Sequence, residues 1–336
     1  MTRKRAFRIA FSVGISALFL YLALRGIEWD KTLEALASAQ YLYVIPIIGL
    51  TVWQLIIRAQ RWRVLMRPLG APPMSMLIAA TNIGWMANFL LPLRAGEIIR
   101  PVLLSRKENL PLGGVLATIA LERVFDMFTI LFLFGLTAVL TPVSAEVQSW
   151  GFRLLTIALV IASGIAFVRW RAAFARSILD FFVRPLPEKV ATALQRFFDG
   201  FVEALTILDS PRAFLELAAW SLYLWIVVSF VFGLGILMFD LDTPMLLGQV
   251  VLTVIVAVAV SAPSAPGFIG AFQFGCVIAF GLLGVSKDEA TAYSLAIHAT
   301  QFVAIIGAGL FSLAQQGMSL RQMGEVPESD DTVTRG

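Results

Sequence analysis

Six apolar stretches, at residues 7–25, 41–58, 112–140, 151–169, 214–239 and 289–315, are each long enough to cross a bilayer as a helix. A span needs about 20 mainly apolar residues at a rise of roughly 1.5 Å each. Hydrocarbon offers the backbone no hydrogen-bond partner, so segments of this kind must satisfy themselves as helices. Two further apolar regions, 75–104 and 245–284, are interrupted, the first around Pro92-Leu-Arg-Ala-Gly96 and the second at SAPSAPGFIG (261–270). Their arms of about 12–18 residues are short for full spans and suit re-entrant hairpins or broken helices. Eight ordinary spans with two Pro/Gly kinks are the alternative. Only 14% of the 336 residues are charged, against about 25% in soluble domains. The sequence therefore predicts an all-α polytopic membrane protein with about six full transmembrane helices and two broken segments.

Charge placement orients the chain. With the N-terminus in the cytoplasm, 19 of the 26 Lys and Arg residues fall on that side, Arg58 and Arg61 among them. Arg25, Lys31, Arg153 and Lys287 fall outside, and Arg94, Arg100 and Arg123 lie at membrane depth. Such an asymmetry predicts cytoplasmic termini. The basic N-terminus resembles a signal peptide, but its apolar run continues to Leu24 with no small-residue cleavage site, which predicts a retained first span. The two interrupted regions then enter from opposite sides, each after one span and before a long one. That is the layout of an inverted repeat.

The membrane domain is expected over 1–316, with a disordered cytoplasmic tail at 317–336. Within it, 170–212 carries two amphipathic stripes separated by Pro185-Leu-Pro187. They read either as interfacial helices on anionic phospholipids at the cytoplasmic face or as a hairpin packed on the span ends.

Ionisable groups cluster in one part of the chain. Arg94, Glu97 and Arg100 are spaced i, i+3, i+6, so a helix over 93–104 would place Glu97 between two cations. The next span holds Glu122, Arg123 and Asp126 near its mid-depth. Three positive and three negative groups at membrane depth must face the bundle interior or a polar cavity. Guanidinium groups suit bidentate phosphate binding; a purely structural clamp is the competing reading. Asn82 and Asn88 either line the same cavity or bridge helices. The second break is uncharged, with Pro263, Pro266, Gly267 and Gly270 freeing the backbone and Gln273 adding polarity. His298 reads as an interior, hydrogen-bonded histidine. One His and one Cys (Cys276) cannot make a zinc site, and neither a Walker A sequence nor GxSxG is present.

The stretch TNIGWMANFLLPLRAGEIIRPVLL, the later LERVFD and then PSAPGFIGAF resemble the flippase-like transmembrane domain of lysylphosphatidylglycerol synthetases, over about residues 5–316. The matching positions are Asn88, Pro92, Arg94, Gly96, Glu97, Arg100, Glu122, Arg123, Asp126, Pro266, Gly267 and Gly270. The resemblance implies a stand-alone lipid flippase or transporter of the bacterial cytoplasmic membrane, without the aminoacyl-transferase domain. Phe268 and Gln273 depart from the pattern, where relatives often read PGG and then an acidic residue. The expected substrate-binding set is Arg94, Glu97, Arg100, Glu122, Arg123, Asp126, Asn88 and Gln273. The expected break residues are Pro92, Gly96, Pro263, Pro266, Gly267 and Gly270. The substrate is expected to be a membrane lipid with a phosphate-containing or glycosylated headgroup. No cofactor, metal, nucleic acid or enzymatic activity is expected, and a homodimer is left open. A membrane-embedded lipid-modifying enzyme and a non-transporting partner of envelope synthesis are the alternatives.

Overall fold

The computed structural model describes residues 3–140, 145–261 and 265–325. Pro263 and residues 326–336 lie outside them. Each apolar run folds as helix, and no strand occurs among the described residues. In chain order the helices are α1 (Arg3–Leu24), α2 (Trp29–Ser38), α3 (Val44–Met66), α4 (Met74–Leu90), α5 (Gly96–Glu108), α6 (Leu112–Leu140) and α7 (Ala145–Trp170). Then come α8 (Ala172–Val183), α9 (Glu188–Leu205), α10 (Pro211–Met238), α11 (Met245–Ser261), α12 (Ala271–Leu282), α13 (Lys287–Gln315) and α14 (Leu320–Glu325). Short 3-10 turns, Pro92–Arg94 and Pro266–Phe268, join α4 to α5 and α11 to α12.

Three described segments, Tyr41–Met66, Pro211–Met238 and Lys287–Gln315, are long and apolar enough to span a membrane by length and composition. Helix α6 is 29 residues long and carries Glu122, Arg123 and Asp126 within it. The interrupted regions are helical hairpins: α4 packs on α5, and α11 on α12.

Helices α3 to α6 contain 23, 17, 13 and 29 residues, and α10 to α13 contain 28, 17, 12 and 29. The two sets pack reciprocally. α3 lies on α10, α4 on α13 and α11 on α6. The Gln40 N–H just before α3 donates to the Met238 carbonyl at the C-terminal end of α10, and Arg67 after α3 pairs with Glu216 near the start of α10. Helix α10 therefore runs antiparallel to α3, as an inverted repeat requires. Separate apolar clusters fill the two halves, around Trp62, Leu77 and Leu103 in the first and around Phe232, Phe280 and Tyr293 in the second. A smaller cluster of Leu55, Phe89, Phe268 and Ile305 joins them where the hairpin tips meet.

Several boundaries move. The span expected at 41–58 continues to Met66, because Trp62, Val64, Leu65 and Met66 beyond the arginines are apolar and buried. Arg58 and Arg61 are therefore interior residues, not loop residues, and the basic asymmetry falls from 19-to-4 to 17-to-4. Helix α7 turns by 102° into α8. α9 packs on α6, with Gly200 against Gly113 and Gly114, while Phe174, Phe181 and Phe182 of α8 stay exposed. The tail expected to be disordered from 317 begins with α14, whose Met323 is buried in the first core.

Candidate functional site

Leu91 is extended, as a residue before proline should be, and Pro92 opens the turn. Arg94 then takes a left-handed conformation, with φ at 53°. For a side-chain-bearing residue this costs about 1–2 kcal/mol, and such strain gathers at functional sites. The opposite tip has the same feature in Phe268, with φ at 59°. These two residues face each other: the Arg94 guanidinium lies 5.4 Å from the Phe268 ring centre. Arg94 also donates to the Val260 carbonyl at 2.8 Å, near the C-terminal end of α11.

The kink at Arg94 breaks the register expected for 93–104. Glu97 does not sit between two cations; it pairs with Arg94 at 3.1 Å. Arg100 turns instead to α6 and holds Glu122 through two hydrogen bonds of 2.8 and 3.2 Å, with its guanidinium 3.8 Å from the Trp62 ring centre. Gly96 is the first residue of α5, not part of the turn, and its role is contact. A Cβ there would fall on the Gly84 carbonyl oxygen of α4.

Arg61 sits behind this cluster with no exposed surface. It donates to Asp126 and, at 3.3 Å, to Ser221 of α10, and it lies 4.0 Å from Glu122. The Trp225 indole N–H donates to the same Asp126 oxygen at 3.0 Å. Arg123 is 41% exposed and lies 3.8 Å from Glu122 and 3.5 Å from Asp126. Arg58 reaches the cluster from α3, one turn before Arg61, over the Trp85 ring at 4.4 Å.

Two cavities adjoin these groups. The smaller, about 30 Å³, brings together Asn88, Arg94, Glu97, Arg100 and Arg123. The larger, about 440 Å³, is amphipathic. Its polar wall holds Gln54, Arg58, Arg94, Arg123, Asp126, His298 and Gln301, and its apolar wall includes Met127, Ile130, Val228 and Val256. Asp126 lies 14 residues into α6, about 21 Å along the helix axis, so the polar wall is at mid-depth.

Of the predicted set, Glu122 and Gln273 line neither cavity: Glu122 is buried behind the wall in its pair with Arg100, and Gln273 serves the second hairpin. The Gln273 oxygen accepts the Gly270 N–H at 2.8 Å, capping α12, and its nitrogen meets His298 Nδ1 at 2.9 Å. Asn82 bridges helices, donating to Ser312 at 3.0 Å. Sequence reasoning missed Arg58 and Arg61, which lie outside the recognised motifs. With them the cluster holds five arginines against three carboxylates, so it is not neutral as expected but carries two positive charges in excess. The signal that marks them is four-residue spacing: Gln54, Arg58 and, three on, Arg61 share one helix face in a mostly apolar stretch.

The family model for the lysylphosphatidylglycerol synthase transmembrane region matches residues 9–309. Among relatives, the glycosyltransferase AglD of Haloferax volcanii is 25% identical over 350 residues, covering 93% of this chain and 55% of that protein. The UPF0104 membrane protein MJ1595 of Methanocaldococcus jannaschii is 28% identical over 156 residues, covering 44% of this chain and 46% of that one. The matches span about half the length of these relatives. No solved structure matches the chain.

Proposed function

The chain belongs to the lysylphosphatidylglycerol synthase transmembrane-region family, and from that premise we propose that it moves a lipid with a phosphate-containing headgroup between leaflets of the bacterial cytoplasmic membrane. The carrying observation is the larger cavity, which pairs a cationic wall at mid-depth with an apolar wall. Such a shape suits an amphiphile whose headgroup must pass the bilayer centre. Buried ion pairs are weak evidence of stabilisation, since burial strips both partners of water. Excess positive charge at membrane depth calls for an anion. The opposed tips supply a gate: parting Arg94 from the Val260 carbonyl and Phe268 would separate the two hairpins, as alternating access by an inverted repeat requires. In this reading the protein transports and does not catalyse, and its termini are cytoplasmic, in keeping with the 17-to-4 basic asymmetry. The relative named a glycosyltransferase supports lipid-linked sugar phosphates as a second cargo class.

The test is a leaflet-resolved transport assay in proteoliposomes with labelled phospholipids and sugar-phosphate lipids. The wild-type chain is expected to equilibrate at least one of them across the bilayer. Arg94→Ala and Arg123→Ala should insert and fold yet lose most of that transport. Normal transport by both variants would remove the site, and a wild-type chain that moves none of the lipids would remove the function.

A further inference from the structure

Resting on the lipid-transport reading, we propose that Arg58 and Arg123 are the phosphate-binding pair of the larger cavity, and that the cavity selects lipids whose headgroup is net negative over those whose headgroup is net positive. The five arginines are not equivalent. Arg61 is taken up by Asp126 and Ser221, Arg100 by Glu122, and Arg94 by Glu97 and the Val260 carbonyl. Arg123 is near two carboxylates, but both have closer partners, and its side chain is 41% exposed. Arg58 has no carboxylate within ion-pair distance and no hydrogen-bond partner among the described residues, although it is 5% exposed. Its one contact of note is the Trp85 ring.

A guanidinium stays protonated in a protein, and an unpaired buried charge is costly. Arg58 therefore waits for an anion that the chain itself does not provide. The surroundings fit a phosphate. Gln54 stands one turn earlier on the same helix face, and the His298 ring is buried in the same wall with no side-chain partner on its Nε2. Both line the cavity with Arg58. The carboxylate in the wall, Asp126, is already held by Arg61, Arg123 and the Trp225 N–H. Three guanidinium groups and one carboxylate among the lining residues leave two positive charges in excess. An aminoacylated headgroup, positive overall, would add like charge to that wall, whereas a phosphatidylglycerol headgroup would offset it.

Binding to the purified full chain in neutral detergent tests this without requiring two leaflets. Phosphatidylglycerol, lysyl-phosphatidylglycerol and a phosphate-free glycolipid are compared by native mass spectrometry, with inorganic phosphate as competitor. Phosphatidylglycerol should bind best, and Arg58→Gln should weaken it about tenfold or more, the scale of one charge-assisted hydrogen bond. Arg58→Lys, which keeps the charge but loses the fork, should fall between. If Arg58→Gln does not fold, the lipid ranking on wild type and the Arg58→Lys value decide the matter. Equal binding of the two phospholipids, or an unchanged affinity in Arg58→Lys and Arg58→Gln, overturns the proposal. Displacement of bound lipid by inorganic phosphate alone would overturn its assignment to a lipid headgroup. A chain that binds selectively but moves no lipid would refute transport while leaving this inference intact.

Discussion

The two hairpins have nearly the same frame and opposite chemistry. Each joins a 17-residue helix to one of 13 or 12 through a turn opened by proline, and each tip holds a non-glycine residue at positive φ. The first is fixed by charge, with Arg94 on Glu97 and Arg100 on Glu122 of the adjoining long helix. The second has no ion pair among its described residues. Its tip is held by the Gln273 cap on the Gly270 N–H and by the Ala265 N–H donating to the Ser16 hydroxyl of α1. A charged tip needs partners in place, so it is bound to its own half. The uncharged tip presents a ring and a carbonyl for the first to lean on. The first hairpin is therefore the anchored one, and the second is the cheaper one to displace.

The largest expected effect tests the fixed side of that contrast. Glu122→Ala leaves Arg100 without its partner and Arg61 with one fewer, both fully inside the bundle. Removing one member of a buried pair costs about 3–5 kcal/mol. The variant should lose most of its folded yield in a thermal-stability assay read by size exclusion. The double variant Arg100→Leu with Glu122→Leu, which removes both charges, should recover much of the loss. Should Glu122→Ala melt like wild type, charge does not fix the first hairpin and the contrast collapses.

The close contacts of the two hairpins differ as well. A Cβ at Gly96 would strike the Gly84 carbonyl oxygen and approach Asn88 Oδ1 to 2.7 Å, so backbone must move. A Cβ at Gly275 of α12 would meet Ala259 Cβ at 3.0 Å and Val256 Cα at 3.1 Å, contacts that small shifts relieve. Gly96→Ala should therefore cost at or above the roughly 1–3 kcal/mol of ordinary overpacking, and Gly275→Ala less than about 1. Comparable melting shifts for the two would show that the first hairpin is no more tightly closed than the second.

Much of this was legible in the sequence because hydropathy and proline placement act locally. The breaks at Pro92 and Pro266, the long α6 and α13 and the amphipathic pair α8–α9 all follow from patterns within a single segment. Arg58 and Arg61 were not legible. Arginine at the end of an apolar run reads as a loop, and only the burial of Trp62 to Met66 shows that the helix goes on. Gln273 failed for a different reason. Its side chain satisfies its own helix start and a histidine from α13, and a sequence does not reveal which polar groups are already occupied. The face shared by Arg94, Glu97 and Arg100 was lost to one positive φ, a choice that sequence leaves open at any non-glycine position in a turn.

The smallest effect belongs to the second tip. Gln273 reaches back from the first turn of α12 to the Gly270 N–H, as the third residue of a capping box does, and its other end meets His298. Gln273→Ala removes a cap of about 1 kcal/mol and touches no ion pair. Global melting should barely move. The loss should instead appear locally, because Gly267 and Gly270 already sit at positive φ and the cap helps to hold that backbone. Hydrogen exchange of amides at 265–275 should quicken, while the amides of α4 and α5 keep their wild-type rates. Slow exchange at 265–275 in the variant would mean that packing of Phe268 and Phe272 holds the second tip by itself. Faster exchange in α4 and α5 would mean that the two hairpins open together, and the division of labour between them would have to be given up.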